Sequence, residues 1–170
     1  MNSSPPPSES GSHPGFEGID HVEMFVPSRR EAVGWYGEVL GLDALAERKD
    51  WALSPGGPLM ISNDQGQTML ALFRADGHGI DPAVRVTPSV GAFRWVAFRA
   101  SGEGFLRFLG RLAVLNLLDT RGEAVTVERV SDHQSAWSIY FADPWGHALE
   151  VTTYDYEVVR QGLVKASEKG

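Results

Sequence analysis

The chain contains no cysteine. Disulfides, thiolate nucleophiles and cysteine-ligated zinc are therefore excluded. It also has no apolar run near the roughly 18 residues that a membrane-spanning helix requires. Basic residues are in the minority, 15 Lys and Arg against 22 Asp and Glu, for a net charge of −7. No basic cluster occurs. Nucleic acid and anionic membranes attract proteins through Lys and Arg, so neither is an expected partner. The opening MNSSPPPSESGSHPG has no basic stretch and no apolar one, and does not read as a secretory signal. These absences fit a cytoplasmic location. There is also no phosphate-cradling glycine loop, no serine nucleophile elbow and no HExxH.

The 170 residues are 42% hydrophobic and 22% charged, near the average for globular domains and enough for a sizeable core. Residues 1–15, rich in Ser, Pro and Gly, cannot bury enough apolar area to offset ordering entropy and are expected to be a disordered tail, His13 included. GIDHVEMFVP then alternates as a strand, with Val22, Met24 and Val26 on one face and His21, Glu23 and Phe25 on the other. SRREAVGWYGEVLGL follows as a helix. Ser28 and Glu31 have capping-box spacing, and Gly41 suits the stop. Three strands are expected near 43–50, 58–63 and 67–74. Residues 75–91, rich in Gly and Pro, read as a linker. The order then recurs: a strand in FRWVAFRA, a helix in GEGFLRFLGRLAVLNLL, and strands in EAVTVERV, AWSIYFA and HALEVTTY. A terminal helix or tail occupies 156–170.

The chain thus reads as two modules, 16–74 and 92–155, each strand–helix–three strands. HVEMFV from His21 overlays WVAFRA from Trp95, and LMISNDQGQTMLALF from Leu59 overlays SIYFADPWGHALEVT from Ser138. Asp64 then matches Asp143 and Leu70 matches Leu149, while Gly66 falls one residue from Gly146. His21 and Trp95 become equivalent, as do Ala71 and Glu150. The expected fold is α+β: two βαβββ modules whose curled mixed sheets surround a central cleft. One face of each strand meets its helix and the other lines the cleft. Alternation sends Leu149 and Val151 to the helix and Ala148, Glu150 and Thr152 to the cleft, together with His21 and Glu23.

This arrangement, with HVEMFVP…WYGEVLGL near the start and SIYFADPWGHALEV near the end, resembles the vicinal oxygen chelate superfamily. That group includes glyoxalase I, extradiol dioxygenases, methylmalonyl-CoA epimerase, and fosfomycin and bleomycin resistance proteins. The resemblance covers residues 16 to about 155 and implies a homodimer. It identifies the superfamily far better than the reaction. Members that do chemistry hold one divalent metal through His and Glu at four equivalent strand positions. Carried over, His21 matches the first ligand and Glu150 the last. Trp95 stands where the second module's His is expected, with non-ligating Arg94 beside it, and Ala71 stands where the first module's donor would be. Two donors fall short of the about three protein ligands of catalytic sites.

Two readings follow. In the first, the chain is a small-molecule-binding protein with a depleted metal site, its ligand held between the modules against Trp95, Arg99 and Glu23. In the second it is a metal-dependent lyase, isomerase or extradiol-type dioxygenase, with Fe, Mn, Ni or Zn on His21 and Glu150. Resemblance to the dioxygenases then gives Tyr140 and His133, with Glu150, the proton-transfer and positioning roles. The same residues admit plainer roles. His21 suits a hydrogen-bonded strand histidine, Trp95 core filling, His147 a turn contact, and Arg99 an ion pair with Glu150 or a clamp on a ligand anion.

Overall fold

The structure is a computed structural model and describes residues 19–54, 56–76 and 93–167. The tail expected over 1–15, His13, His78 and all but the first two residues of the expected linker lie outside the described residues. The chain divides into two compact units, Met1–Gly79 and Ile80–Gly170. The first contains β1 (His21–Val26), α1 (Arg29–Leu40), β2 (Asp43–Ala44), α2 (Lys49–Leu53), β3 (Leu59–Ser62) and β4 (Met69–Arg74). The second contains β5 (Val96–Arg99), α3 (Gly102–Leu115), β6 (Ser131–Asp132), β7 (Trp137–Ala142), β8 (Ala148–Thr153) and α4 (Tyr156–Ser167). The sheets run β1-β4-β3-β2 and β5-β8-β7-β6. In each, the first strand pairs parallel to the last and the other pairs are antiparallel. The fold is α+β, two mixed four-stranded sheets in two βαβββ modules.

Local chemistry sets the helix ends. Ser28, extended at φ −138°, accepts the Glu31 N–H at 3.3 Å and caps α1. Gly41 takes φ 68° and donates its N–H back to the Gly37 carbonyl at 3.1 Å, closing the helix. Ser101 caps α3 in the same way, accepting from Gly104 N–H at 3.1 Å. Alternation decides the core. Met24 and Val26 are buried on β1 while His21, Glu23 and Phe25 are exposed. Tyr36 of α1 is fully buried. On β8, Leu149, Val151 and Thr153 are buried and alternate with half-buried Ala148, Glu150 and Thr152. Phe105, Phe108, Leu109 and Leu112 of α3 supply the second unit's core, and Phe108 packs its ring 5.6 Å from that of Phe141. Helix α4 closes on α3 where Gly102 has no side chain. A Cβ there would lie 2.8 Å from Asp155 Cβ and 2.9 Å from Val158 Cβ. The Gly102 N–H donates to Asp155 Oδ2 at 2.7 Å.

Two expected strands are corrected. The one over 43–50 is strand only at Asp43–Ala44; a 3₁₀ turn over Ala46–Arg48 and then α2 replace the rest. Only Leu45 offers an apolar contact in that stretch, and the charged run from Glu47 to Asp50 has no buried alternate to hold it in a sheet. EAVTVERV is not a strand either. Ala124 forms an isolated bridge to Leu118, a 3₁₀ turn spans Val127–Arg129, and the sheet resumes at β6. Val125 is buried, but Val127 is exposed, so the period-two pattern breaks there.

The turns before the two last strands are built on equivalent aspartates. Asp64 Oδ1 accepts the Ser62 hydroxyl at 2.6 Å and the Thr68 N–H at 3.0 Å. Asp143 Oδ1 accepts the N–H groups of Trp145 and His147 at 3.0 and 2.8 Å, and its Oδ2 lies 2.6 Å from His147 Nδ1. Left-handed glycines, Gly66 at φ 84° and Gly146 at φ 96°, let each turn close. The Ser62 hydroxyl and then the Thr68 N–H hold the Asp64 carboxyl below its ordinary value of 3.8. A depressed folded-state pKa stabilises the fold above the unfolded value, and that contribution is lost as pH falls through the folded one. Asp64→Asn is therefore predicted to lower the melting temperature at neutral pH, with the gap to wild type closing as pH drops below the usual carboxylate range. Calorimetry across pH 2–7 reads this, and a gap that persists unchanged at the acid end contradicts it.

Candidate functional site

The clearest polar cluster lies on the face of the second sheet that points away from α3. Strand β8 sits between β5 and β7, so its residues have a neighbour on each side. Glu150 stands between Ala97 and Tyr140, and Thr152 between Arg99 and Ser138. Ala97 is small and leaves one flank of Glu150 open. The Ser138 hydroxyl donates to Thr152 Oγ1 at 3.0 Å, and Thr152 Oγ1 donates to the Trp137 carbonyl at 3.2 Å. These bonds fix the rung next to Glu150 and Tyr140.

Trp95, just before β5, has the same parity as Ala97 and so presents its indole to this face. The ring lies against Tyr140, centroids 4.9 Å apart and planes at 51°, a tilted geometry that aromatic pairs favour. His133 approaches Tyr140 from the loop after β6, its Nε2 lying 3.1 Å from the phenol oxygen. A tight turn holds it: the His133 N–H donates to the Ala136 carbonyl at 2.9 Å, and left-handed Gln134, φ 67°, donates to Asp132 Oδ1 at 2.7 Å. Burial raises the Tyr140 pKa above its usual 10.0; the negative charge of Glu150 and its acceptance of the phenol hydrogen add to this, while Ser138 and Arg94 oppose it. The phenol therefore keeps its proton at neutral pH and acts as a donor. With its proton on Nε2, His133 donates to the phenol oxygen, which leaves the single phenol hydrogen for Glu150 or, in its place, a ligand.

A concavity of about 260 Å³ opens beside the two rings, lined by Trp95, Asp119, Thr120, Arg121, Arg129 and Tyr140. Its far wall is an ion network. Arg121 Nη2 lies 3.1 Å from both Asp119 Oδ2 and Glu123 Oε2, and Arg129 reaches the same two oxygens at 3.2 and 2.6 Å. Asp119 Oδ1 accepts the N–H groups of Arg121 and Glu123 at 2.8 and 2.9 Å, and these donors lower its pKa. Sequence reasoning missed this wall. Its only signal is the alternation of opposite charges in DTRGE, and the alternation of EAVTVERV assigns Arg129, ten residues beyond Asp119, to a strand.

Other aromatic and charged residues of the expected site have neighbours of their own. The guanidinium of Arg99 lies over the Tyr154 ring, 5.2 Å from its centroid, and among the described residues Arg99 forms no ion pair with Glu150. Trp137 stacks on Tyr156 at 5.2 Å, and Trp51 lies under Arg48 on α2. In the first unit, His21 Nδ1 is 2.6 Å from Asp20 Oδ1 and Nε2 is 3.6 Å from Glu23 Oε1. The bond to Asp20 is the main cause of a raised His21 pKa, followed by an opposing effect of burial. Ala71 pairs with Glu23 in the register where Glu150 pairs with Ala97, so the two are equivalent. Ala71 is a fully buried methyl among Met60 and Met69, with Leu45 and Phe73 packed against them.

Among the described residues no three His, Asp or Glu side chains converge as a metal site. Of the four equivalent positions, Trp95 and Ala71 carry no metal-ligating atom, so this set does not fit a resident ion.

The second unit thus gathers Trp95, Tyr140, His133 and Glu150, while His21 and Glu23 form their own pair in the first. The sequence model of the Glyoxalase/Bleomycin resistance protein/Dioxygenase superfamily matches residues 18–151. No curated protein sequence matches the chain. Among solved structures it is similar to a glyoxalase/dioxygenase from Nostoc punctiforme, 19% identical with a TM-score of 0.60, over 91% of this chain and 98% of that one. It is also similar to lactoylglutathione lyase from Agrobacterium tumefaciens, 20% identical with a TM-score of 0.54, over 84% and 97%. A mutant of the fosfomycin resistance protein FosX from Listeria monocytogenes, complexed with Mn(II) and 1S,2S-dihydroxypropylphosphonic acid, is 14% identical with a TM-score of 0.57, over 84% and 96%. At these identities the likeness is one of fold. With the family match spanning most of its length, the chain belongs to the Glyoxalase/Bleomycin resistance protein/Dioxygenase superfamily.

Proposed function

We propose that the chain binds a small molecule containing a planar ring on the open face of the second unit's sheet. The observation that carries this reading is the Trp95–Tyr140 ring pair at a position where the superfamily's metal-dependent members are expected to place a ligand. An indole supplies a flat, polarisable wall and no donor atom for an ion. Beside it, Tyr140 donates a hydrogen bond to a ligand oxygen, His133 sets the direction of the phenol, and Glu150 accepts from a ligand hydroxyl or amine. Arg99 is proposed as a further contact, since it is exposed and has the parity of Ala97; Glu23 is proposed as a ligand contact of the first unit's own open face, where it lies exposed beside His21. Trp95→Ala is predicted to weaken binding of ring-containing ligands by about tenfold or more, the worth of one stacked aromatic contact. Calorimetric titration of hits from a thermal-shift panel of one- and two-ring compounds reads this. Ligands that bind the variant as tightly as wild type overturn the reading.

A second reading, a metal-dependent lyase, isomerase or dioxygenase, has one observation in its favour. Asp20 holds Nδ1 of His21, the way carboxylates orient metal-binding histidines, and Nε2 is left to the Glu23 side, 3.6 Å from Oε1. The first reading predicts that Mn, Fe, Ni or Zn leaves the melting temperature of the purified protein unmoved and that elemental analysis finds no stoichiometric metal. A stoichiometric ion lost from both His21→Ala and Glu150→Gln would favour the second.

A homodimer is part of the proposal, supported by superfamily membership. Light scattering is expected to give twice the 18.6 kDa chain mass; the single-chain mass rejects it.

A further inference from the structure

The chemistry of the concavity beside Trp95 and Tyr140 depends on which of its groups are already satisfied. Asp119 is committed: its Oδ2 accepts from Arg121 Nε, Arg121 Nη2 and Arg129 Nη1, and its Oδ1 from two backbone N–H groups. It has no capacity left for a ligand. The two arginines are committed only in part. Arg121 uses Nε and Nη2, and Arg129 uses Nη1 and Nη2. Arg121 Nη1 and Arg129 Nε therefore carry N–H groups with no acceptor among the described residues. Thr120 and Tyr140 add hydroxyls, and the positive charge of Arg94 acts on Tyr140 as well. Apart from the Thr120 hydroxyl, which can donate or accept, the free polar groups of this wall are the two arginine N–H donors, while the opposite wall is a pair of rings.

We infer that the ligand is a planar aromatic acid, its ring against Trp95 and Tyr140 and its carboxylate or another anionic acceptor group on Arg121 and Arg129. The inference rests on the proposed ring-binding function and adds to it the ligand class and the two anchoring residues. Asp119 and Glu123 do not block such an anchor. They hold the guanidinium planes in place before the ligand arrives, which lowers the ordering cost of binding. They also offset the two positive charges, so recognition comes from directed N–H bonds more than from net charge. At about 260 Å³ the concavity is smaller than the sites that enclose drug-sized ligands, and suits one or two rings.

The test uses the full chain and two probes of the same shape, 2-naphthoate and 2-naphthylmethylamine, titrated by calorimetry. Naphthoate is expected to bind about tenfold or more tightly than the amine, the difference expected of charge-assisted hydrogen bonds. Arg121→Gln is expected to remove most of that preference. Arg121 is largely exposed, its side chain 69% accessible, and Arg129 still bridges Asp119 and Glu123 in the variant, so the fold survives. Arg129→Gln, checked by melting temperature, is expected to act in the same direction. Equal affinity for the two probes, or a preference for naphthoate untouched by Arg121→Gln, overturns the inference. If both probes bind equally and both are weakened by Trp95→Ala, ring binding stands and the acid does not. If Trp95→Ala changes neither, the underlying function falls as well.

Discussion

The parallel pairing of first strand with last is the constraint on which the rest of each unit depends. A parallel pair cannot be joined by a tight turn, so a long connection must cross over between its strands; here it carries a helix that buries one face of the sheet and two further strands that extend it. Once that face is taken, strand parity decides every other side chain. In the second unit this drives Leu149 and Val151 onto α3 and leaves Glu150 on the other side, flanked by Ala97 and Tyr140. In the first unit the same rung carries Glu23 and Ala71. One geometric rule thus yields an acidic, ring-lined face in one module and a methyl among methionines in the other.

The two modules have diverged in chemistry while keeping their frame. Both close the hairpin before the last strand with an aspartate that gathers backbone N–H groups, yet Asp64 recruits a serine hydroxyl and Asp143 a histidine ring. Both begin their long helix with a serine cap. These are the features that local physics demands of any βαβββ module. Trp95, Tyr140 and Glu150 answer to no such demand. A residue at the Glu150 position that neither packs a core nor caps a turn keeps a half-buried carboxylate beside a phenol, a placement that costs desolvation and so needs a partner to offset it.

Much of this was legible in the sequence because it is periodic or local. The capping of α1, the alternation of β1 and β8 and the equivalence of Asp64 with Asp143 each depend on residues within a few positions of one another. The reading failed where structure depends on distant or irregular contacts. EAVTVERV alternates like a strand, but Arg129 is drawn to Asp119 and Glu123, and the segment turns instead. Charge pairing across a loop leaves no period to detect, so the wall formed by Arg121 and Arg129 was invisible. The stretch 43–50 failed for the opposite reason: it contains one apolar anchor, Leu45, and nothing to hold a longer strand. The Trp95–Tyr140 contact lies between these cases, since parity places both residues on one face and only the folded chain brings the rings together.

The superfamily's sequence signature ends at residue 151, but the second unit does not. Val159 of α4 is fully buried, Trp137 rests its ring on Tyr156, and α3 begins at a glycine whose missing side chain makes room for Asp155 and Val158. What is recognisable by descent is therefore shorter than what folds. A chain cut where its kinship stops would uncover one end of the β7 ladder and the flank of α3, giving the apolar surfaces of neighbouring molecules a place to meet.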